Sequence, residues 1–180
     1  MHNNEFATFG GGSFWCMDAI FRRVKGVENC ISGYSGGQMA KPTYKDVCSG
    51  KTGHAQVVQL IYNPKNISYS NLLNIFFTSH DPTTLNTQGP DKGTHFRSVI
   101  FYHSDEQKLL ATNHMQEIKD QYLNPIVTEL SNHQHFYPAE PLHQNFFKFN
   151  RESGYSIFAI EPKLNFLKRR FPEVFSEVNS

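Results

Sequence analysis

Residues 5–9, EFATF, alternate between apolar and polar positions, which predicts a short strand ended by the glycines that follow. From Phe14 the apolar positions become Phe14, Met17, Ile20, Phe21 and Val24. That three-to-four-residue period predicts a helix of about three turns, stopped at Lys25-Gly26. Residues 27–34 (VENCISGY) and 55–62 (AQVVQLIY) read as strands, separated by a loop rich in Gly, Pro, Ser and Lys. Loops of that length often carry function. Asn63-Pro64 breaks the second of these strands, and SYSNLLNIFFTSH predicts a helix with Leu72, Leu73, Phe76 and Phe77 on one face. A turn-rich stretch, HDPTTLNTQGPDKGTH, leads to a strand at FRSVIFY, residues 96–102. Ser104 stands three residues before Gln107, a capping-box spacing that opens a helix running to about Tyr122. Asn124-Pro125 ends it, IVTEL at 126–130 reads as another strand, and a short helical patch is expected at 140–149. The remainder is weakly patterned, apart from a basic helix-like piece, KLNFLKRRF.

The helices are too few for a doubly wound sheet. The order predicts an α+β, two-layer α/β sandwich with a ferredoxin-like mixed sheet, helices packed on it and a long irregular C-terminal part. At 180 residues the chain suits one domain, 1–180. There are no internal repeats or low-complexity tracts.

Charge narrows the partners. Charged residues make up 18% of the chain and nearly cancel to +1, so no basic field is available to hold a nucleic-acid backbone. The N-terminus has no basic region followed by an apolar run, and no segment nears the roughly eighteen apolar residues of a membrane span. We expect a soluble, cytoplasmic protein with no membrane association. Three cysteines, Cys16, Cys30 and Cys48, are an odd number without metal-type pairing, which fits a reducing compartment and leaves room for one reactive thiol.

The stretch FGGGSFWCMDAIF, residues 9–21, is the chief chemical candidate. Glycines allow a tight entry into the helix, and its free N–H groups would stabilise an anion developing on residue 13. Ser13 is equally readable as a plain N-cap. Phe14 and Trp15 are adjacent and cannot both face one core, so one of them is expected at a cleft. A hydrolase elbow needs glycine two residues after the serine, where Trp15 stands, and no Gly-Lys-Ser/Thr follows for a phosphate loop. Cys16 is the other nucleophile candidate, in the first helical turn, although free cysteines are more often buried and inert. None of the nine histidines forms a metal motif, His133-x-His135 included, and no metal or cofactor is expected. Tyr44, His54 and Asp91 lie in or beside the two polar loops and are individually ordinary.

Taken together, Gly12-Ser13-Phe14-Trp15 with GVENCISGYSGG, PTYKDVCSGKTGHAQVV, the long run from YNPKN to VIFY, and FYPAEPLHQNFF resemble the A-type peptide methionine sulfoxide reductases over roughly residues 5–160. The resemblance implies a thiolate that attacks the sulfur of an S-epimer methionine sulfoxide, takes its oxygen as a sulfenic acid and releases methionine. It implies a methyl-sized pocket from Phe14 and Trp15, hydrogen-bond donors to the sulfoxide oxygen including Tyr44, and a nearby aspartate, Asp91. The implied partners are oxidised proteins or peptides and thioredoxin as reductant.

Three positions depart from that pattern. Ser13 occupies the place of the catalytic cysteine, Gln56 that of the acid, and Phe96 that of a second tyrosine. A serine hydroxyl is hardly ionised near neutral pH. An oxygen atom accepting the substrate oxygen would also have to form a weak O–O bond, whereas sulfur has a sulfenic acid state. We therefore expect an inactive form, substituted at position 13 of a cysteine-bearing parent. Gln56 can donate a hydrogen bond but not a proton, and Phe96 removes one donor. Relatives often use C-terminal cysteines to resolve the sulfenic acid; this chain has none after Cys48, which leaves Cys16, and after it Cys48, as resolving thiols. Two alternatives stay open: a module that binds methionine sulfoxide without reducing it, and a different thiol enzyme using Cys16.

Overall fold

The computed structural model describes residues 4–175. In chain order the elements are β1 (Glu5–Gly10), α1 (Phe14–Phe21), β2 (Val27–Ser35), α2 (Tyr44–Cys48), β3 (Ala55–Tyr62), α3 (Tyr69–Ser79), β4 (Thr87–Gln88), β5 (Asp91–Lys92), β6 (Val99–Tyr102), α4 (Asp105–Ile118), β7 (Glu129–Asn132), β8 (Tyr137–Pro138), α5 (Phe146–Phe149) and α6 (Glu161–Arg170). Six strands form one mixed sheet in the order β7-β6-β1-β3-β2-β8, and β4-β5 is a separate small hairpin. All neighbours are antiparallel except β6 and β7. The expected α+β sandwich is the architecture found.

Strand alternation explains how the sheet serves two faces. Ala7, Phe9, Val58, Leu60 and Ile100 turn to the helices, where they meet Met17, Ile20 and Phe21 of α1 and Leu72, Leu73 and Phe76 of α3. Ala55, Val57, Val99 and Phe101 turn the other way and make a small second cluster with Phe136. Within the main core Phe9 stacks on Phe21 and Phe76, with centroids 5.5 and 4.9 Å apart. Such aromatic pairs add to the area they bury.

Several boundaries differ from the sequence expectation. Helix α1 has about two turns rather than three, because Arg22 caps it and Gly26, at φ 93°, carries the turn into β2. The strand expected over 96–102 starts at Val99; residues 94–96 form a 3₁₀ turn whose last carbonyl, that of Phe96, accepts the Gly12 amide at 3.2 Å. The strand expected at 126–130 is Glu129–Asn132, since pairing with β6 places Val99 opposite Glu129 and leaves the Val127 amide bonded to the Pro82 carbonyl. The C-terminal part is less irregular than expected. A one-turn π-helix at Ser156–Ile160 runs straight into α6, which sends Leu164 and Leu167 into the main core. Residue 176 onward lies outside the described residues.

Candidate functional site

The glycine loop between β1 and α1 sets the geometry. Gly10 cannot carry a side chain, because a Cβ there would lie 2.9 Å from the Gln56 carbonyl oxygen, and Gly12 takes φ 88°, a conformation glycine adopts without strain. The chain then turns sharply and Ser13 caps α1, its Oγ accepting the Trp15 amide at 3.2 Å. Ser13 therefore is the N-cap that its spacing allowed. It also lines a cleft of about 340 Å³, together with Cys16, Pro90, Asp91, Tyr155 and Phe158.

Tyr155 closes this cleft. Its hydroxyl donates to Asp91 Oδ2 at 2.8 Å, lies 3.5 Å from Cys16 Sγ and is hydrogen-bonded with Ser13. Burial, then Cys16, pushes the phenol well above the ordinary tyrosine range, so it stays protonated and remains a donor. Asp91 is delivered by the β4–β5 hairpin, which Gln88 anchors by bonding both the amide and the carbonyl of Asp81. Nothing in the local pattern singles out Tyr155, because its neighbours ESGYSIF have neither a period nor a motif.

Gln56, Tyr44 and Cys48 form a second group next to the first. Gln56 is buried in β3; its Oε1 accepts the Phe14 amide at 3.2 Å and its Nε2 approaches Cys48 Sγ at 3.9 Å. The Tyr44 hydroxyl shares hydrogen bonds with Cys48 and Gln56, while its amide donates to Glu140 Oε2. Glu140 also accepts from the Tyr34 hydroxyl at 3.0 Å, so one carboxylate ties β2 and α2 to the turn before α5.

Phe14 and Trp15 are not among the side chains that line the cleft at Ser13. Phe14 is fully buried, with Tyr34, Tyr44 and His143 rings 5.5–6.1 Å away. Trp15 is half-buried beneath Phe146, stacked at 3.9 Å and 9°, and its Nε1 donates to His143 Nδ1. The reason is tertiary: residues 143–146 pack over the first turn of α1 and use both rings. The edge of Trp15 still meets Tyr155, 5.4 Å away at 77°. Phe96 reaches the site through its carbonyl on Gly12, and its ring lies on His95.

The thiols are poorly poised. Burial raises the pKa of Cys16, a shift that Lys163 only partly opposes, and burial raises those of Cys48 and Cys30 as well. The position of Cys16 in the first turn of α1 does not overcome desolvation. His54 is a structural clip: Nδ1 accepts the Gly37 amide and Nε2 meets the Met39 carbonyl. His133 stacks on His103 and His135 on Tyr137. Among the described residues no three His, Cys, Asp or Glu side chains converge as a metal site, and no helix is long and apolar enough to cross a membrane.

The family described as peptide methionine sulfoxide reductase matches residues 5–174. The chain belongs to that family. It is 50% identical over 171 residues to a peptide methionine sulfoxide reductase MsrA of Acinetobacter baumannii, covering 95% of this chain and 98% of the relative. An MsrA of Leptospira borgpetersenii is 48% identical over 168 residues, covering 93% and 96%. Among solved structures, Mxr1 of Saccharomyces cerevisiae in reduced form superposes with a TM-score of 0.80 at 34% identity, covering 88% of this chain and 90% of that one. The yeast protein has also been solved in complex with Trx2; that chain superposes with a TM-score of 0.57 at 27% identity, covering 79% and 84%.

Proposed function

We propose that this member of the reductase family recognises S-epimer methionine sulfoxide in peptides and proteins at the Ser13 cleft, and that it does not reduce it. The observation that carries this reading is the placement of Ser13: its hydroxyl sits at the N-terminus of α1, facing a mostly apolar hollow beside Tyr155 and Asp91. Reduction by a thiol at position 13 would form an S–O bond to the incoming oxygen, break the substrate S–O bond, oxidise the thiol to a sulfenic acid and release the thioether. A second thiol would then displace water to give a disulfide, which a thioredoxin-type dithiol reduces. With oxygen at position 13 the first step would need an O–O bond, and it stops there.

In this reading the apolar walls hold the side chain of the ligand, and Tyr155 becomes a donor to its oxygen when its single O–H turns from Asp91 to the ligand. Tyr155 takes over a role that Phe96 cannot fill, having no hydroxyl. Gln56 acts indirectly. Its amide holds the start of α1 through Phe14 and supports Cys48, with Tyr44 completing that group. Cys16, one turn after residue 13, serves as the resolving thiol once a thiol stands at position 13, and Cys48 is the next nearest candidate. Its burial and raised pKa count against Cys16 as a nucleophile in its own right.

Ser13→Cys tests the proposal. The unaltered chain is expected to bind a peptide carrying the S-sulfoxide without turnover, and Ser13→Cys to gain dithiol-dependent reduction of that epimer only. Reduction by the unaltered chain would overturn the inactivity, and a folded, inactive Ser13→Cys variant that still binds would favour a pure sulfoxide-binding module.

A further inference from the structure

The helical stretch that walls the Ser13 cleft carries two apolar faces. From residue 154 to Arg170 the backbone is helical without a break, passing through the π-turn into α6. Ile160, Leu164 and Leu167 form one face and are buried in the main core. Tyr155, Phe158, Ala159, Pro162 and Lys163 follow the i, i+3, i+4, i+7, i+8 spacing of a second stripe, and that stripe lines the cleft. Phe166, four positions after Pro162, continues the same stripe beyond the residues that line the cleft.

The outer part of this stripe is an apolar ridge left to solvent. Phe158 is 83% exposed and Phe166 49%, and Pro162 between them is exposed as well. Single apolar residues on a surface are ordinary. These three stand in line at four-residue spacing, and the line ends in the cleft. A peptide whose side chain enters the cleft leaves its backbone at the mouth, where Phe158 and Pro90 of the β4–β5 turn are both exposed. From Phe158 to Phe166 a helix rises about 12 Å, a distance that an extended peptide covers in roughly three to four residues. Alternate side chains of an extended peptide share one face, so residues two and four positions from the sulfoxide would turn toward the ridge. A helix face offers no unpaired backbone groups for such a peptide to bond, and selection there depends on apolar contact.

We propose that Phe158, Pro162 and Phe166 form a subsite for the peptide flanking the sulfoxide. The favoured ligand is an oxidised methionine in an extended segment with bulky apolar residues two and four positions away on one side. This inference rests on the sulfoxide reading of the Ser13 cleft.

Four S-sulfoxide ligands test it, each titrated into the unaltered full chain by calorimetry. One is the blocked single residue. The others are nine-residue peptides with the sulfoxide at the centre: one with serine at every other position, and two with leucines at the second and fourth positions either before or after the sulfoxide. One leucine peptide is expected to bind about tenfold tighter than the serine peptide, and the other to match the serine peptide. Phe166→Ser, at a half-exposed position outside the cleft, should cut that advantage to about threefold or less while circular dichroism stays unchanged, and Phe166→Leu should keep most of it. Equal affinity of all three peptides, or an advantage untouched by Phe166→Ser, overturns the subsite and leaves the cleft reading standing. If none of the four ligands binds, the cleft reading itself fails and the subsite with it. A concentration-dependent dimer in sedimentation that Phe166→Ser abolishes would assign the ridge to a second copy of the chain and overturn the proposal.

Discussion

Position 13 combines two roles that a single hydroxyl can fill only in part. As an N-cap, Ser13 stabilises α1, and serine is among the best residues for that work. As a group facing the cleft it lacks the redox states of sulfur. Its surroundings make the consequences measurable. In a Ser13→Cys background, Tyr155→Phe removes the hydroxyl that touches residue 13 and Asp91, and steady-state sulfoxide reduction should fall roughly tenfold to a hundredfold, as expected for losing one donor to a developing charge. The cysteines give a second test. Cys48 is partly exposed while Cys16 and Cys30 are buried, so brief alkylation read by peptide mass spectrometry should label Cys48 first. Because its pKa lies above the ordinary thiol value of 9.0, the rate should still be climbing as pH rises past 9. Fast labelling of Cys16 near neutral pH would revive it as a nucleophile.

Among the elements, the connection from α3 to β6 shows how a polar group can be built into a core. His80 follows α3 directly; its Nδ1 bonds the Phe76 carbonyl and its Nε2 bonds Ser98 Oγ, each at 2.7 Å. Burial lowers its pKa from 6.5 to about 4. The unfolded chain takes up a proton near pH 6.5 and the folded chain does not until about pH 4. Stability from this group is complete above pH 6.5 and is lost as pH falls toward 4, by an amount on the order of 3 kcal/mol. His103, lowered to about 4 by burial and by His133, acts in the same direction. Urea midpoints measured from pH 7 to pH 4 should trace the loss, and His80→Gln should flatten part of it. The start of α4 was legible from Ser104 and Gln107, and Ser104 Oγ does accept the Gln107 amide. The Gln107 side chain, however, bonds the His103 amide and the Phe6 carbonyl, so it joins the helix to β1 and does not close a reciprocal box.

Across the whole molecule, the C-terminal segment is both structural and part of the site. Residues 155–163 form one wall of the cleft, while Leu164 and Leu167 sit in the main core and Val24 pairs with Phe175. Leu167→Ala should therefore cost about 2–5 kcal/mol in chemical denaturation, as large-to-small changes in a packed core do. It should also weaken sulfoxide-peptide binding, because the support of Tyr155 loosens with it. An unchanged urea midpoint would mean that α6 is not part of the cooperative unit.

Local pattern was enough to determine the order of the principal strands and helices and the glycine-sprung start of α1. These depend on residues close together in sequence: apolar period, caps, glycine and proline. Tertiary structure decided the rest. It set the register that moved β7 to Glu129–Asn132, stacked Phe146 on Trp15, turned Gln56 toward Phe14 and Cys48, and brought Tyr155 to Ser13 from 142 residues away. Contacts of that kind are chosen by competition between surfaces for burial and for hydrogen-bond partners, and periodicity within one segment carries no information about its distant partner.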